Sequence, residues 1–150
     1  MLELYKKHPF LHDLDDSYIY KIISISKLIT INKDEVFIKN GEYAQYFYLL
    51  ISGLVEIKYE DISIQIIESG DIVGWSFLIY PYKWNFDTIT LKDSIFIAVD
   101  ADKFKELLTN DKIFEGIIYK KFFIVIANRL KNTRLKMIEL IKNKKSKKIK

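Results

Sequence analysis

The sequence contains no cysteine, and its only two histidines, His8 and His12, lie near the amino terminus. The absence of cysteine excludes disulfides, thiolate metal sites and cysteine nucleophiles. No apolar run approaches the ~20 residues that a helix needs to span a bilayer, and residues 1–10 lack the apolar stretch of a secretory signal. We therefore expect a cytoplasmic protein without a membrane span.

Motifs that carry catalysis are also missing. Metal sites in strand-rich proteins commonly use two or three facing imidazoles, and no histidine follows His12. A serine nucleophile would need a nearby base, and neither of the phosphate-binding motifs G-x-x-x-x-G-K-[ST] and G-x-G-x-x-G occurs. We expect no metal, no cofactor and no enzymatic activity.

The charged residues are distributed unevenly along the chain. The 49% of hydrophobic and 15% of aromatic residues are typical of a folded domain, and 150 residues suffice for one. Residues 142–150 contain six lysines and no acid, while the rest of the chain holds 18 basic and 20 acidic residues. We predict one domain over residues 1–141 and a disordered basic tail over residues 142–150. This tail could bind polyanions without sequence specificity, or it could be a solvated helix end.

Hydrophobic periodicity divides the chain into three zones. Apolar residues at helical spacing behind Asp15 and Asp16 predict a helix over residues 14–28. Residues 28–99 form short runs rich in β-branched and aromatic residues, with glycines between them, which predict strands in a sandwich or closed barrel. The predicted strands cover residues 28–31, 35–39, 46–51, 54–59, 62–67, 86–91 and 94–99. Two more helices are predicted, a short one over residues 100–108 and a long one over about 113–141.

The predicted long helix carries an apolar seam. Six of its residues alternate at intervals of three and four, as the a and d positions of a coiled coil do. These residues are Phe123, Ile126, Leu130, Thr133, Met137 and Leu140. We expect the seam to form a homodimer interface. The alternative is that all apolar residues of this helix face one intramolecular core.

Two glycine-containing stretches resemble the cyclic-nucleotide-binding domain of the catabolite activator protein family. In NGEYAQYFYLLISGLVEI, residues 40–57, Gly41-Glu42 and Ser52-Gly53 fall where that family has "G-E" and "s-G". ESGDIVGW, residues 68–75, is similar to the "G-D-x-f-G-E" that closes the family's barrel. The resemblance implies a mainly β fold with flanking helices. It would be a double-stranded β-helix (jelly-roll) barrel over about residues 28–99, with a short N-terminal helix and two C-terminal helices, the last one long.

The next segment departs from this family. The family's phosphate-binding cassette has a glutamate that holds the ribose hydroxyl and an arginine that pairs with the cyclic phosphate. In GWSFLIYPYKWNFDTITL, residues 74–91, Trp75 stands at the glutamate position and Phe86 at or near the arginine position. Removing one charged partner from a desolvated pair costs about 2–5 kcal/mol. We therefore do not expect cyclic AMP or cyclic GMP to bind in the usual way.

The residues that replace this pair suggest a candidate ligand site. Six aromatic residues lie within residues 75–86, where Lys83 is the only cation. The block looks like that of stand-alone prokaryotic family members that lack a DNA-binding domain. Aromatic walls with one cation suit a planar or partly apolar anionic ligand. The predicted ligand-binding residues are Gly74, Trp75, Ser76, Lys83, Trp84, Phe86, Asp87 and Thr88.

Composition and resemblance together predict a non-catalytic regulatory or ligand-sensing module. Its expected partner is a small molecule, which could be nucleotide-like, or a protein; we expect no sequence-specific nucleic-acid binding. Two alternatives stay open. One is a cyclic-nucleotide-binding protein with non-standard contacts, in which Lys83 and backbone amides hold the phosphate. The other is a scaffold module in which the aromatic rings fill the pocket.

Overall fold

The computed structural model describes residues 1–149 and comprises two compact units. The first unit, residues 1–111, contains three α-helices, one short 3-10 helix and eight strands; the second unit begins at Lys112 and is one long helix. Lys150, the last residue of the expected tail, lies outside the described residues.

The N-terminal region contains two short helices, where the sequence predicts one. Helix α1 spans Leu2–Lys6 and helix α2 spans Asp16–Ser24. The Lys6 ammonium lies 3.0 Å from the Asp16 carboxylate, so an ion pair joins the two helices. Helix α2 ends earlier than predicted because the chain from Ser26 onward pairs with another strand.

Eight strands follow, and seven of them agree with the predicted runs to within two residues. They are β1 (Ser26–Ile31), β2 (Val36–Ile38), β3 (Tyr46–Ser52), β4 (Leu54–Tyr59), β5 (Ile62–Glu68), β6 (Ile72–Val73), β7 (Asp87–Thr90) and β8 (Ser94–Asp100). Strand β6 is not predicted from the sequence, because a strand of two residues shows no alternation of polar and apolar side chains.

The strands form two four-stranded antiparallel sheets, ordered β1-β8-β3-β6 and β2-β7-β4-β5. Eight antiparallel strands in two such sheets are a jelly roll, which confirms the predicted mainly β fold. The hydrogen-bonded ladders do not close into a continuous barrel, because each sheet keeps two edge strands.

Strands β3 and β8 form the centre of the first sheet, and both of its faces are buried there. Phe47 and Leu49 on one face and Tyr48 and Leu50 on the other are all at most 7% exposed. Side chains alternate between the faces of a strand, so burial of consecutive residues means that this sheet is covered on both sides.

A short helix follows β8 directly. Helix α3 spans Ala101–Asn110, as predicted from the residues that start it. The Asp100 carboxylate accepts a hydrogen bond from the Lys103 backbone N–H at 3.0 Å. This N-cap satisfies one of the backbone donors that a helix start leaves unpaired.

The last helix is longer than the sequence analysis predicted. Helix α4 spans Lys112–Ile149, so residues 142–149, which we expected to be disordered, are helical. Lysine is a good helix former, and lysines near the C-terminus interact favourably with the helix dipole. All six residues of the predicted seam have exposed side chains, with Phe123 71% exposed. Among the described helices, none is long and apolar enough to cross a membrane.

Candidate functional site

The segment between β6 and β7 carries six of the eight predicted ligand-binding residues, and the other two, Asp87 and Thr88, begin β7. Gly74 has a φ of +87° and begins a short 3-10 helix over Trp75–Leu78. A Cβ atom at Gly74 would lie 3.3 Å from Nε1 of Trp84, whose Nε1–H donates a 3.4 Å hydrogen bond to the Gly74 carbonyl. Glycine at position 74 therefore allows both the left-handed backbone conformation and the close approach of the indole ring.

Backbone hydrogen bonds hold the loop that follows the 3-10 helix. Three of them, of 2.7 to 3.0 Å, join residues 82–84 to residues 41–44. Because these bonds involve only main-chain atoms, the side chain of Lys83 is not needed to hold the loop. That side chain is exposed.

The structure gives the eight predicted residues different degrees of burial. Trp84 and Thr88 are buried, and Lys83 and Phe86 are exposed. The other four are half-buried: Gly74, Trp75, Ser76 and Asp87. One segment thus supplies both buried residues and residues that a ligand can reach from solvent.

Several of the predicted residues at the start of β7 have neighbours within the protein. The Asp87 carboxylate accepts a hydrogen bond from the Asn40 backbone N–H at 2.8 Å. The Phe86 ring lies edge-on to the Tyr59 ring, with centroids 6.3 Å apart. Thr88 is 3% exposed within the second sheet. These contacts fix the end of the segment relative to the strands around it.

Stacked aromatic rings connect the 3-10 helix to α3. The buried Phe77 stacks on Phe47 of β3, with centroids 4.6 Å apart and planes 11° apart. Phe104 of α3 lies 5.0 Å from Phe47 and 6.0 Å from Phe77. Any displacement of the 3-10 helix must therefore be accommodated by β3 or α3, because close-packed rings transmit strain.

A polar contact makes a second connection to α3. The Lys105 ammonium lies 3.9 Å from the centre of the Tyr82 ring and 3.8 Å from the Asp102 carboxylate. The Tyr43 hydroxyl donates a 2.6 Å hydrogen bond to the same carboxylate, which raises the pKa of Tyr43. The contacts of Tyr82 with Lys105 and of Tyr43 with Asp102 join residues far apart in the chain, so no local sequence pattern predicts them, whereas Lys105 and Asp102 lie three residues apart on α3.

An aromatic cluster missed by the sequence analysis lies on the opposite face of β3 from Phe47. The Phe37 ring is 5.2 Å from that of Tyr48 and 4.9 Å from that of Phe96. Burial raises the pKa of Tyr48 to about 12, and neighbouring Tyr46 adds to the shift. Strand alternation could have separated Tyr48 from Phe47, but not shown which rings it meets.

The charged residues of the first unit, residues 1–111, do not favour the binding of a buried anion. Among residues 1–111 every lysine is exposed or half-buried, and that range contains no arginine. In the part of the chain that the structure describes, no three histidine, aspartate or glutamate side chains form a group able to hold a metal ion.

Comparison with known proteins places this geometry in context. The family model of the cyclic nucleotide-binding domain matches residues 28–111. Among curated proteins no match was found.

Several solved structures share the fold. The chain resembles a protein of Geobacter metallireducens assigned as cyclic nucleotide-binding, with a TM-score of 0.80, 23% identity and coverage of 85% of this chain and 96% of that one. A cyclic nucleotide-binding domain from Methylobacillus flagellatus gives a TM-score of 0.76 at 15% identity, covering 92% and 80%. The sensor domain of the transcriptional regulator DNR from Pseudomonas aeruginosa gives 0.69 at 15% identity, covering 87% and 93%.

Proposed function

Because the chain belongs to the cyclic nucleotide-binding domain family, we propose that it is a non-catalytic ligand-sensing module that does not bind cyclic AMP or cyclic GMP in the usual way. The observation that carries this proposal is Trp75 at the position where the family's nucleotide-binding members have glutamate and Phe86 at or near the position where they have arginine, as the sequence resemblance implies. The absence of a buried lysine or arginine among residues 1–111 supports it. A buried phosphate monoanion without a cationic partner is costly.

The proposed ligand is a small, planar and partly apolar anion that binds along the segment 74–88. Trp75, Ser76 and Lys83 have side chains that solvent reaches, so they would touch the ligand directly. Trp84 and Asp87 are held by hydrogen bonds within the protein and would shape the site. Lys83 would supply the positive charge.

The same proposal includes a route for the signal. A ligand that moves the 3-10 helix would push Phe77 against Phe47 and Phe104 and would alter the contact between Tyr82 and Lys105. Phe104 and Lys105 both lie on α3. We further propose that the protein forms a homodimer through the exposed seam of α4. A ligand-induced change at α3 would then occur in both copies of the dimer.

Calorimetry and thermal unfolding with cyclic AMP and cyclic GMP test the central claim. We expect no heat and no rise in melting temperature at millimolar nucleotide. The opposite result would be nucleotide binding that Lys83→Met weakens and that Lys92→Met, at an unrelated exposed lysine, leaves intact. That result would overturn this proposal in favour of cyclic-nucleotide binding through non-standard contacts.

The packing of Phe37, Tyr48 and Phe96 favours a second candidate, a scaffold whose pocket is filled. The chain has only two tryptophans, Trp75 and Trp84, and both lie in the proposed site. Their two indole N–H signals in an NMR titration with benzoate, a planar aromatic carboxylate, distinguish the candidates. A sensing site should shift at least one signal with saturation, whereas a filled pocket should shift neither.

A further inference from the structure

A cavity lies outside the segment that carries the proposed site. Its volume is about 350 Å³, and it is bordered by the N-terminal segment, the end of β3 and the turn before β6. This volume is at the lower end of the range of small-molecule sites, roughly 300–1,000 Å³. Its apolar walls are formed by Leu4, Pro9, Leu50 and Ile51.

Two polar side chains at this cavity have no partner among the described residues. Lys7 is exposed and, within residues 1–149, makes no ion pair or side-chain hydrogen bond, whereas neighbouring Lys6 is 3.0 Å from Asp16. The Ser69 hydroxyl also makes no hydrogen bond among the described residues. The apolar cavity is therefore bordered by an ammonium group and a hydroxyl donor that the protein itself does not use.

A buried histidine gives the cavity a rigid wall. His8 is 4% exposed, and its Nδ1 accepts a hydrogen bond from the Phe10 backbone N–H at 3.1 Å. Its Nε2–H therefore donates to the Asp71 carbonyl, at 3.3 Å. Because both ring nitrogens are occupied, His8 fixes the N-terminal segment on the sheet and is not itself available to bind a ligand.

We infer that this cavity is a second ligand site, which takes a small monocarboxylate with a short hydrocarbon body. The carboxylate binds at Lys7 and Ser69, and the hydrocarbon body packs on the apolar walls. A single ammonium matches one negative charge, and the walls offer no further charge for a dianion. The site is separate from the proposed sensing site and goes beyond it.

The test uses hexanoate and its neutral analogue hexanamide as probes, followed by NMR of the imidazole and indole rings. His8 lines the cavity and His12 does not, and His12→Gln assigns the two histidine signals. We expect hexanoate to shift the His8 signal with saturation in the millimolar range, without shifting the indole signals of Trp75 and Trp84. Hexanamide should bind up to about fivefold more weakly, as an exposed ion pair allows.

Substitutions then test the two parts of the site separately. Lys7→Met keeps an apolar stem and should remove the preference for hexanoate over hexanamide, whereas Lys92→Met should retain it. Ser69→Trp should block both probes by filling the cavity. Any one of three outcomes would overturn the inference. They are the absence of a His8 shift, equal binding of the two probes to the unmodified protein, and an unchanged preference for hexanoate in Lys7→Met. These readouts are independent of the sensing site, because that site is monitored by the two tryptophans.

Discussion

The two histidines of the chain have opposite environments, although only three residues separate them. His12 is exposed, whereas His8 is 4% exposed and hydrogen-bonded through both ring nitrogens. Burial lowers the pKa of His8 below its ordinary value, and the hydrogen bond to the Asp71 carbonyl opposes this shift only in part. The folded state therefore favours the neutral imidazole more than the unfolded state does.

Acidification should consequently reduce stability through His8. The stabilisation from the neutral ring is complete above the ordinary histidine pKa of about 6.5 and is lost as pH falls through the lowered pKa of the folded state. We expect urea unfolding to show this loss between neutral and mildly acidic pH, with a smaller pH dependence in His8→Gln. His12→Gln is the control and should behave like the unmodified protein. A His8→Gln variant that retains the full pH dependence would contradict this explanation.

Two glycines have nearly equal φ angles but different surroundings. Alanine substitutions at the two positions therefore separate the cost of a left-handed backbone from the cost of displacing a neighbouring side chain. Gly74 has a φ of +87° and Gly41 a φ of +89°, but only at Gly74 does an added Cβ meet a neighbour within 4 Å. Gly41→Ala should cost about 1–2 kcal/mol from the left-handed backbone alone. Gly74→Ala should cost more, because Trp84 must also move. Free energies of unfolding from urea titration measure the difference, and equal losses would show that Trp84 is loosely packed.

At the scale of helices and strands, local sequence patterns predicted most elements and failed for identifiable reasons. Runs of β-branched residues bounded by glycine located seven strands, whereas β6 is too short to show a period. Helix α1 was missed, and its ion pair with α2 joins residues ten positions apart. Helix α4 continues through the lysines of residues 142–149, where we predict a disordered tail from the sequence.

The two predicted helix starts differ in a way that mutation can measure. Asp100 caps α3 through a 3.0 Å hydrogen bond, whereas Asp15 occupies the N-cap position of α2 without a side-chain capping bond. Asp100→Ala should therefore cost about 1 kcal/mol, and Asp15→Ala clearly less. Asp100→Asn should retain most of the stability, because an amide oxygen also accepts the bond. Equal losses for the two alanine variants in urea unfolding would show that the capping bond contributes little.

At the scale of the whole molecule, the spacing of glycines in the sequence indicated which segment carries the candidate site, but not which residues surround that segment. Glycine spacing identified the segment 74–88, which in the structure connects β6 to β7 and includes the first two residues of β7. The bond from Asn40 to Asp87 and the stack of Phe77 on Phe47 join residues 30 to 47 positions apart. Such contacts are set by the packing of the sheets, which no local pattern encodes.

Helix α4 provides the last prediction, because two of its leucines differ only in their position relative to the seam. Leu130 belongs to the predicted seam and is 49% exposed, whereas Leu135 lies on the opposite side of the heptad and is 54% exposed. In a dimer formed through the seam, Leu130→Glu would bury two like charges without partners, which opposes association. Sedimentation velocity at tens of micromolar should therefore show a dimer for the unmodified protein and for Leu135→Glu, and a monomer for Leu130→Glu. If both variants are monomers, a general loss of apolar surface explains the dissociation. If the unmodified protein is itself a monomer, the seam is not a dimer interface.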